Sequence, residues 1–147
     1  MREILFRGKT TRTKLWVYGH YSTNYGTGNT EIRDKAECCF VEVIPETVSE
    51  FTGLTDKNGK KIFEGDIIHA HYANAPKADF VEQVVFSDGR FCSLFSTTDG
   101  SGKMWSALPL SAPHIKNDKS IYMEWCEVIG NIHDNPELLK EGAEDGN

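Results

Sequence analysis

Apolar and polar side chains alternate along most of this chain, and this period of two constrains the fold more than any other feature. Examples with alternating faces lie at residues 15–21 and 121–129. Successive side chains of a β-strand point to opposite faces of a sheet, so this alternation is typical of half-buried strands. No window before the C-terminus carries the apolar stripe of an amphipathic helix. The pattern therefore predicts a β protein.

Turn residues divide the chain into short segments. Asp88-Gly89 lies between two predicted strands, 80–86 and 90–95, and suits the positive φ angles of a tight hairpin turn. Further strands are predicted at 4–6, 15–21, 38–44, 62–63, 67–68 and 121–129, a mobile loop or wide hairpin tip at 22–33, and surface connections at 97–103 and 109–119. Short strands that are adjacent in sequence close most simply as a small antiparallel barrel, because closure removes exposed strand edges.

Only the C-terminal end predicts a helix. Asn135 is a good N-cap, and Pro136 suits the first helical position because its missing N–H would have no partner there. A chain of 147 residues has the usual size of one domain. We expect a single domain over 1–141, followed by a flexible acidic tail at 142–147.

The charge distribution argues against general affinity for polyanions. The formal net charge is -6, whereas sequence-independent affinity for nucleic acid comes chiefly from Lys and Arg. Residues 1–20 are an exception, with five basic side chains against the single Glu3. Since neither a secretory signal nor a span of about 20 apolar residues is present, we predict a cytoplasmic protein with no membrane partner. The cysteines are then expected to be reduced thiols.

Three blocks of sequence follow a known order. They are MREILFRG at 1–8 with WVYG at 16–19, FTGLTDKNGKKIFEGDII at 51–68, and EVIGNIHDNPELL at 127–139. These blocks resemble the N-terminus, central signature and C-terminal motif of the YopX family of bacteriophage and prophage proteins. The resemblance implies a mainly β fold, namely a small antiparallel, SH3-like, partly open barrel with extra strands and a short C-terminal helix, in the cytosol of a bacterial host. It implies no activity.

The signature residues are predicted to serve backbone geometry. Glycine permits positive φ at bends, and short polar side chains hydrogen-bond neighbouring backbone amides. The residues given this structural role are Gly53, Asp56, Asn58, Gly59, Glu64, Gly65, Asp66, Gly130, Asn131, Asn135 and Pro136. The acidic pair Glu64 and Asp66 would also suit acid–base chemistry or a divalent metal, although turn chemistry explains it more simply.

Aromatic and basic residues near the N-terminus form a candidate surface for nucleic acid. Small barrels bind single strands by stacking bases on exposed rings beside cations. The candidate residues are Arg7, Arg12, Lys14, Trp16 and Tyr18, with His20 on the same predicted strand face as the two rings. The alternative, which we favour, is that the rings fill a second core or an oligomer interface.

Two histidines form a candidate metal site. His69 and His71 are two residues apart on a predicted strand and so share a face, and Asp66 or His133 would be a third ligand. The simpler interpretation is a solvent-facing strand surface. No Cys-x-x-Cys occurs, so structural zinc is not expected.

No catalytic motif accompanies these candidates. The chain has no Gly-x-Ser-x-Gly elbow, phosphate-binding loop or dinucleotide fingerprint, and we predict no cofactor. We therefore predict a phage or prophage accessory protein, a non-enzymatic β module that binds copies of itself or a host or phage macromolecule. The alternative is a barrel that binds single-stranded nucleic acid, and the third hypothesis is a metal-dependent enzyme centred on His69, His71 and Asp66.

Overall fold

The computed structural model describes residues 2–36, 39–73, 79–96, 103–109 and 122–139. The strands in these ranges are β1 Phe6–Lys9, β2 Trp16–Thr23, β3 Thr30–Asp34, β4 Phe40–Glu42, β5 Ser49–Thr55, β6 Lys61–Phe63, β7 Asp66–Ala73, β8 Asp79–Ser87, β9 Arg90–Ser96, β10 Lys103–Pro109 and β11 Tyr122–Asn131. A 3-10 turn at Pro45–Thr47 separates β4 from β5, and residues 137–139 are helical. The predicted β class and the C-terminal helix are confirmed.

The strands form two open antiparallel sheets. Their orders are β4-β3-β2-β1-β5-β6 and β10-β9-β8-β7-β11. In the described part of the chain neither order returns to its first strand, so neither sheet closes into the barrel expected from the turn pattern. The antiparallel arrangement is confirmed, the expected barrel closure is not found among the described strands, and the likeness to SH3 domains stays a prediction. The short strand β4 lies at the edge of the first sheet.

The chain divides into two compact units, Met1–Gly53 and Leu54–Asn147. The single domain over 1–141 stays a prediction, and the predicted acidic tail lies outside the described residues.

The first unit is organised around a hairpin of β2 and β3. Asn24 and Asn29 close its tip through a backbone hydrogen bond of 2.8 Å, so the tip is shorter than the loop or wide hairpin tip predicted at 22–33, whose two ends belong to β2 and β3. The pattern predicts no strand at β3, because its sequence TEIRD has Ile32 as its one large apolar side chain. Ile32 and Val43 are nevertheless almost completely buried, and both lie close against the backbone of Gly8.

The second unit has the larger apolar core. Its buried members are Ile62, Ile68, Ala70, Tyr72, Val84, Met123 and Cys126, with Leu54, Phe80 and Val128 packed against them. The β8–β9 hairpin is confirmed, and its turn residues Asp88 and Gly89 have φ of 53° and 77°. β10 lies between the two segments predicted as surface connections, where the pattern predicts no strand.

Irregular pairing in β11 changes the sheet face to which some of its side chains point. The sequence places Met123 and Cys126 on opposite faces of a regular strand, yet both belong to the buried core. The register of β11 against β7 shifts between Met123 and Trp125, and again between Val128 and Gly130. An extra residue in one strand reverses the face of all that follow, which a pattern of strict alternation does not anticipate.

Candidate functional site

The central signature forms the turn between β5 and β6, and Asp56 organises it. One carboxylate oxygen accepts hydrogen bonds from the backbone N–H of Asn58 and of Lys60, each at 2.9 Å. The other accepts the backbone N–H of Val128, on β11, at 2.9 Å. Burial alone would raise the pKa of Asp56, but these three donors and the Lys60 charge together hold that pKa below its ordinary value. Asp56 is therefore an ionised structural residue.

The turn between β6 and β7 uses the second acidic part of the signature. Asp66 is 1% exposed, and its Oδ2 accepts the backbone N–H of Phe63 at 2.8 Å. Gly65 has φ of 86° and donates its N–H to the Val84 carbonyl at 2.8 Å. The Asp66 carboxylate is therefore used by the backbone, as turn chemistry requires, and the role of Glu64 stays a prediction.

The C-terminal motif forms a compact turn after β11. Asn131 Oδ1 accepts the backbone N–H of His133 and of Asp134, each at 3.0 Å. Asn135 was predicted as an N-cap, but its side chain points back and accepts the Asn131 N–H at 3.4 Å, while its backbone carbonyl accepts the Leu138 N–H. These contacts support a structural role for the motif.

The candidate metal residues do not converge. His69 and His71 lie on the same face of β7 around Trp125, with ring centroids 5.5 Å and 5.1 Å from it, and the His71 ring is stacked. Asp66 alternates onto the opposite face of β7, so the strand geometry separates it from both histidines. His71 instead lies 3.6 Å from the Glu124 carboxylate.

Across the ranges that the structure describes, no group of three or more His, Cys, Asp or Glu side chains is placed to hold a metal ion. Metal binding by the histidine pair stays a prediction. The buried thiols are poor nucleophiles, because burial and the nearby carboxylates of Asp56 and Glu82 raise the pKa of Cys126 to about 11. Burial likewise raises the pKa of Cys92.

One face of the first sheet brings together aromatic and basic side chains from four strands. Residues directly opposite in a pair of strands share a face, and the register places Arg7 opposite Tyr18 and Lys9 opposite Trp16. His20 is opposite Arg33, which is in turn opposite Phe40. We call this set the aromatic–basic face, and its members are Arg7, Lys9, Trp16, Tyr18, His20, Arg33 and Phe40.

The two ends of the aromatic–basic face differ in exposure. Arg7 is 6% exposed, donates from Nε to Ser49 Oγ at 3.2 Å, and holds its guanidinium carbon 4.6 Å from the centre of the Trp16 ring. Tyr18 and Phe40 are 41% and 59% exposed, and His20 and Arg33 are also exposed. Arg7 therefore supports the Trp16 ring by a cation–π contact, whereas the other end faces solvent.

Two of the predicted nucleic-acid residues lie beside this face. Arg12 and Lys14 are exposed in the turn between β1 and β2, where the Lys14 ammonium donates to the Thr11 carbonyl at 2.9 Å. The sequence prediction did not include Arg33 and Phe40, because their place on the face depends on the pairing of β3 and β4. Alternation of Glu31, Ile32 and Arg33 was the one available signal.

A separate polar cluster lies inside the second unit. Glu82 is 0% exposed and accepts a hydrogen bond from the Tyr72 hydroxyl at 2.6 Å. In the described part of the molecule, the other Glu82 carboxylate oxygen and the buried Ser93 hydroxyl make no hydrogen bond of good geometry. Burial raises the pKa of Glu82, and the neighbouring hydroxyls of Tyr72 and Ser93 offset this only in part. The carboxyl therefore keeps its proton to a higher pH than an exposed glutamate.

Replacing Glu82 by glutamine is expected to stabilise the protein by about 1 kcal/mol or more at pH 7 and to have little effect near pH 4. The pKa of Glu82 is higher in the folded than in the unfolded protein. Between these two pKa values the unfolded wild-type glutamate loses its proton while the folded one keeps it, and wild-type stability falls by about 1.4 kcal/mol per pH unit. Urea denaturation across a pH series measures this difference. Glu137→Gln, at an exposed glutamate of the same unit, is the control, and parallel stability curves for Glu82→Gln and wild type would contradict the expectation.

The fold and the site together define a mainly β protein of two antiparallel sheets with an exposed aromatic–basic face. Residues 5–140 match the sequence profile of the family described as YopX protein, so the chain belongs to the YopX family, as its motifs predicted. A comparison with curated proteins gave no match. Among solved structures, protein EF1440 from Enterococcus faecalis is 26% identical over 95% of this chain and 99% of its own, with a TM-score of 0.46. Among the described residues, no helix has the length and apolarity that crossing a membrane requires.

Proposed function

We propose that this chain is a non-enzymatic binding module and that the aromatic–basic face is its ligand surface. The observation that carries the proposal is the exposure of Tyr18 and Phe40 on the same sheet face as His20 and Arg33. Aromatic residues and arginine are enriched at interfaces, because a flat ring loses much apolar surface from water at a low cost in side-chain entropy. A regular sheet also holds these side chains in fixed relative positions.

The state of the polar residues supports a binding role over catalysis. Asp56 and Asp66 are occupied by backbone N–H donors, and the Cys126 thiol is held protonated by its surroundings. Glu82 is enclosed in the core of the second unit. Catalysis requires a group with a suitable pKa within reach of a substrate, and none of these residues meets both conditions.

Family membership supports a cellular setting for this module. We infer that it is an accessory protein of a phage or prophage that acts in the cytosol of a bacterial host. This inference follows from the resemblance of the three sequence blocks to phage and prophage proteins.

Self-association is the second candidate function, and the edge strand β4 favours it. β4 has three residues and pairs with β3; part of its other edge is occupied, since the Glu42 carbonyl accepts the Thr11 N–H at 3.2 Å, and the exposed Phe40 lies at the opposite end of the strand. Edge strands are templates for pairing with another chain. A homo-oligomer joined at this edge would cover the Phe40 ring.

Site-specific photo-crosslinking in a bacterial host tests the proposed face. A photoreactive amino acid at Tyr18 or Phe40 is expected to give crosslinked products, and one at Tyr25 is expected to give few. Tyr25 is the matched control because it is 98% exposed in the β2–β3 turn of the same unit. Equal crosslinking at all three positions, or none at Tyr18 and Phe40, would refute the proposed face. A product of twice the chain mass indicates self-association.

A further inference from the structure

We infer that the ligand of the aromatic–basic face is single-stranded nucleic acid, an inference that rests on the proposed function. Single strands are bound by aromatic rings that stack bases, next to cations that neutralise phosphates. Tyr18 and Phe40 are the two exposed rings of this face, and Arg33 is the exposed cation nearest to Phe40 in the strand register. The face therefore has both kinds of group that such a ligand needs.

The spacing of the rings matches a ligand with several stacking units. Tyr18 is on β2 and Phe40 on β4, with β3 between them. Adjacent strands lie about 4.8 Å apart, so the two rings are about 10 Å apart across the sheet and would receive different bases. His20 and Arg33 form a cross-strand pair that extends from Tyr18 towards Phe40. A strand of nucleic acid lying across β2, β3 and β4 would contact them in that order.

The charges along the aromatic–basic face determine where the phosphates of a bound strand can lie. Lys9 lies at the end nearest the β1–β2 turn, where Arg12 and Lys14 are exposed. Beyond His20 and Arg33, the next row of paired residues contains Glu31 opposite Glu42, which would repel phosphates. The positive groups therefore form a stripe bounded by an acidic row. This local arrangement allows phosphate contacts on a chain whose net charge is -6.

The position of the rings on the surface of a sheet favours a single strand over a duplex. Bases in a duplex are stacked on each other and present only their edges, which are read by a helix or ribbon that enters a groove. The aromatic–basic face belongs to a sheet, and its rings can stack only on bases that are not held in a base pair with a partner strand. Sequence preference should be weak, because every base has a flat face to stack.

Fluorescence anisotropy with a labelled thymidine oligonucleotide tests this inference. At low salt, Tyr18→Ala and Phe40→Ala are each expected to weaken binding about 10-fold, in line with the loss of one base stack. Arg33→Glu is expected to weaken binding and to reduce the salt dependence by about one phosphate contact. Tyr18→Phe and Phe40→Tyr keep a ring at each position and should bind like wild type. A hairpin duplex of the same length should bind more weakly than the single strand.

Matched control variants show whether a loss of affinity is specific to the aromatic–basic face. Tyr25→Ala removes a ring that is more exposed than either stacking candidate, and Arg90→Glu reverses an exposed charge in the second unit. Neither control should change the affinity for the oligonucleotide, and thermal melting of each variant checks that it folds. Absence of oligonucleotide binding by wild type would overturn the inference, as would equal losses in face and control variants.

The photo-crosslinking experiment distinguishes failure of this inference from failure of the proposed function. Crosslinked products at Tyr18 and Phe40 that nuclease shortens would support nucleic acid as the ligand. Nuclease-resistant products, together with no oligonucleotide binding, would overturn the inference but leave the binding face intact, with a protein or a second copy as its partner. Absence of both crosslinking and oligonucleotide binding would refute the two together.

Discussion

Replacing Gly19 by alanine is expected to destabilise the first unit by about 3 kcal/mol or more. A Cβ at Gly19 would overlap the backbone carbonyl oxygen of Arg33 on the neighbouring strand β3. The obstacle is backbone in a paired strand, so it cannot move aside as the end of a flexible side chain can. β2 and β3 would have to separate, which breaks their hydrogen bonds and exposes Ile32.

Urea denaturation and hydrogen exchange measure this effect. We expect Gly19→Ala to lower the midpoint of denaturation and to increase amide exchange in β2 and β3 before other strands are affected. Gly26→Ala is the matched control, because Gly26 lies in the tip of the same hairpin and its added Cβ would meet only the Asn24 side chain, at 3.3 Å. If Gly19→Ala proved as stable as wild type, β2 and β3 would not pair in the observed register.

Replacing Asp56 by alanine is expected to destabilise the second unit by about 3 kcal/mol, because three backbone N–H groups lose their acceptor at once. The change would release the β5–β6 turn from β11, since the Val128 N–H is donated to this carboxylate. Asp56→Asn keeps one oxygen as an acceptor but turns an amide NH2 towards another donor. The loss of stability should therefore be smaller in Asp56→Asn than in Asp56→Ala. Thermal and urea denaturation measure both variants. Asp88→Asn is the control, because it removes an exposed carboxylate from another hairpin turn and keeps a residue type that tolerates positive φ.

The same residue predicts a dependence of stability on pH. The folded pKa of Asp56 is below its unfolded value, so the ionised form stabilises the fold above the unfolded pKa. This contribution should begin to be lost below about pH 4 and disappear as the pH falls through the folded pKa. Below about pH 4 the free energy of unfolding should fall less steeply with decreasing pH in Asp56→Asn than in wild type. The same slope in both proteins would mean that ionised Asp56 does not stabilise the fold.

Local features of the sequence predicted much of the backbone correctly. The alternation at residues 15–21 placed Trp16 and Tyr18 on one face of a strand, and the register against β1 confirms that placement. The turn at Asp88-Gly89 was readable because two consecutive positive φ angles favour these residue types. The carboxylate of Asp56 bonds nearby backbone amides, as its position in a turn predicted.

Other features depend on neighbours that are distant in sequence. β3 and β10 carry weak alternation, and each is a strand because an adjacent strand provides its hydrogen-bond partners. Asn58 shows the same limit: its side chain was expected to bond local backbone, but it donates to the Glu127 carboxylate on β11 at 3.3 Å. The candidate metal triad was similarly divided by strand geometry, since Asp66 faces away from His69 and His71.

The sequence by itself determined the β class, the Asp88-Gly89 turn and the ring pair of Trp16 and Tyr18, because each depends on residues close together in the chain. The tertiary structure alone decided that the strands form two open sheets and that Arg33 and Phe40 join those rings on one face. Strand pairing and bulges are set by contacts between distant segments, and a shift of one residue in register would move each of these side chains to the opposite face.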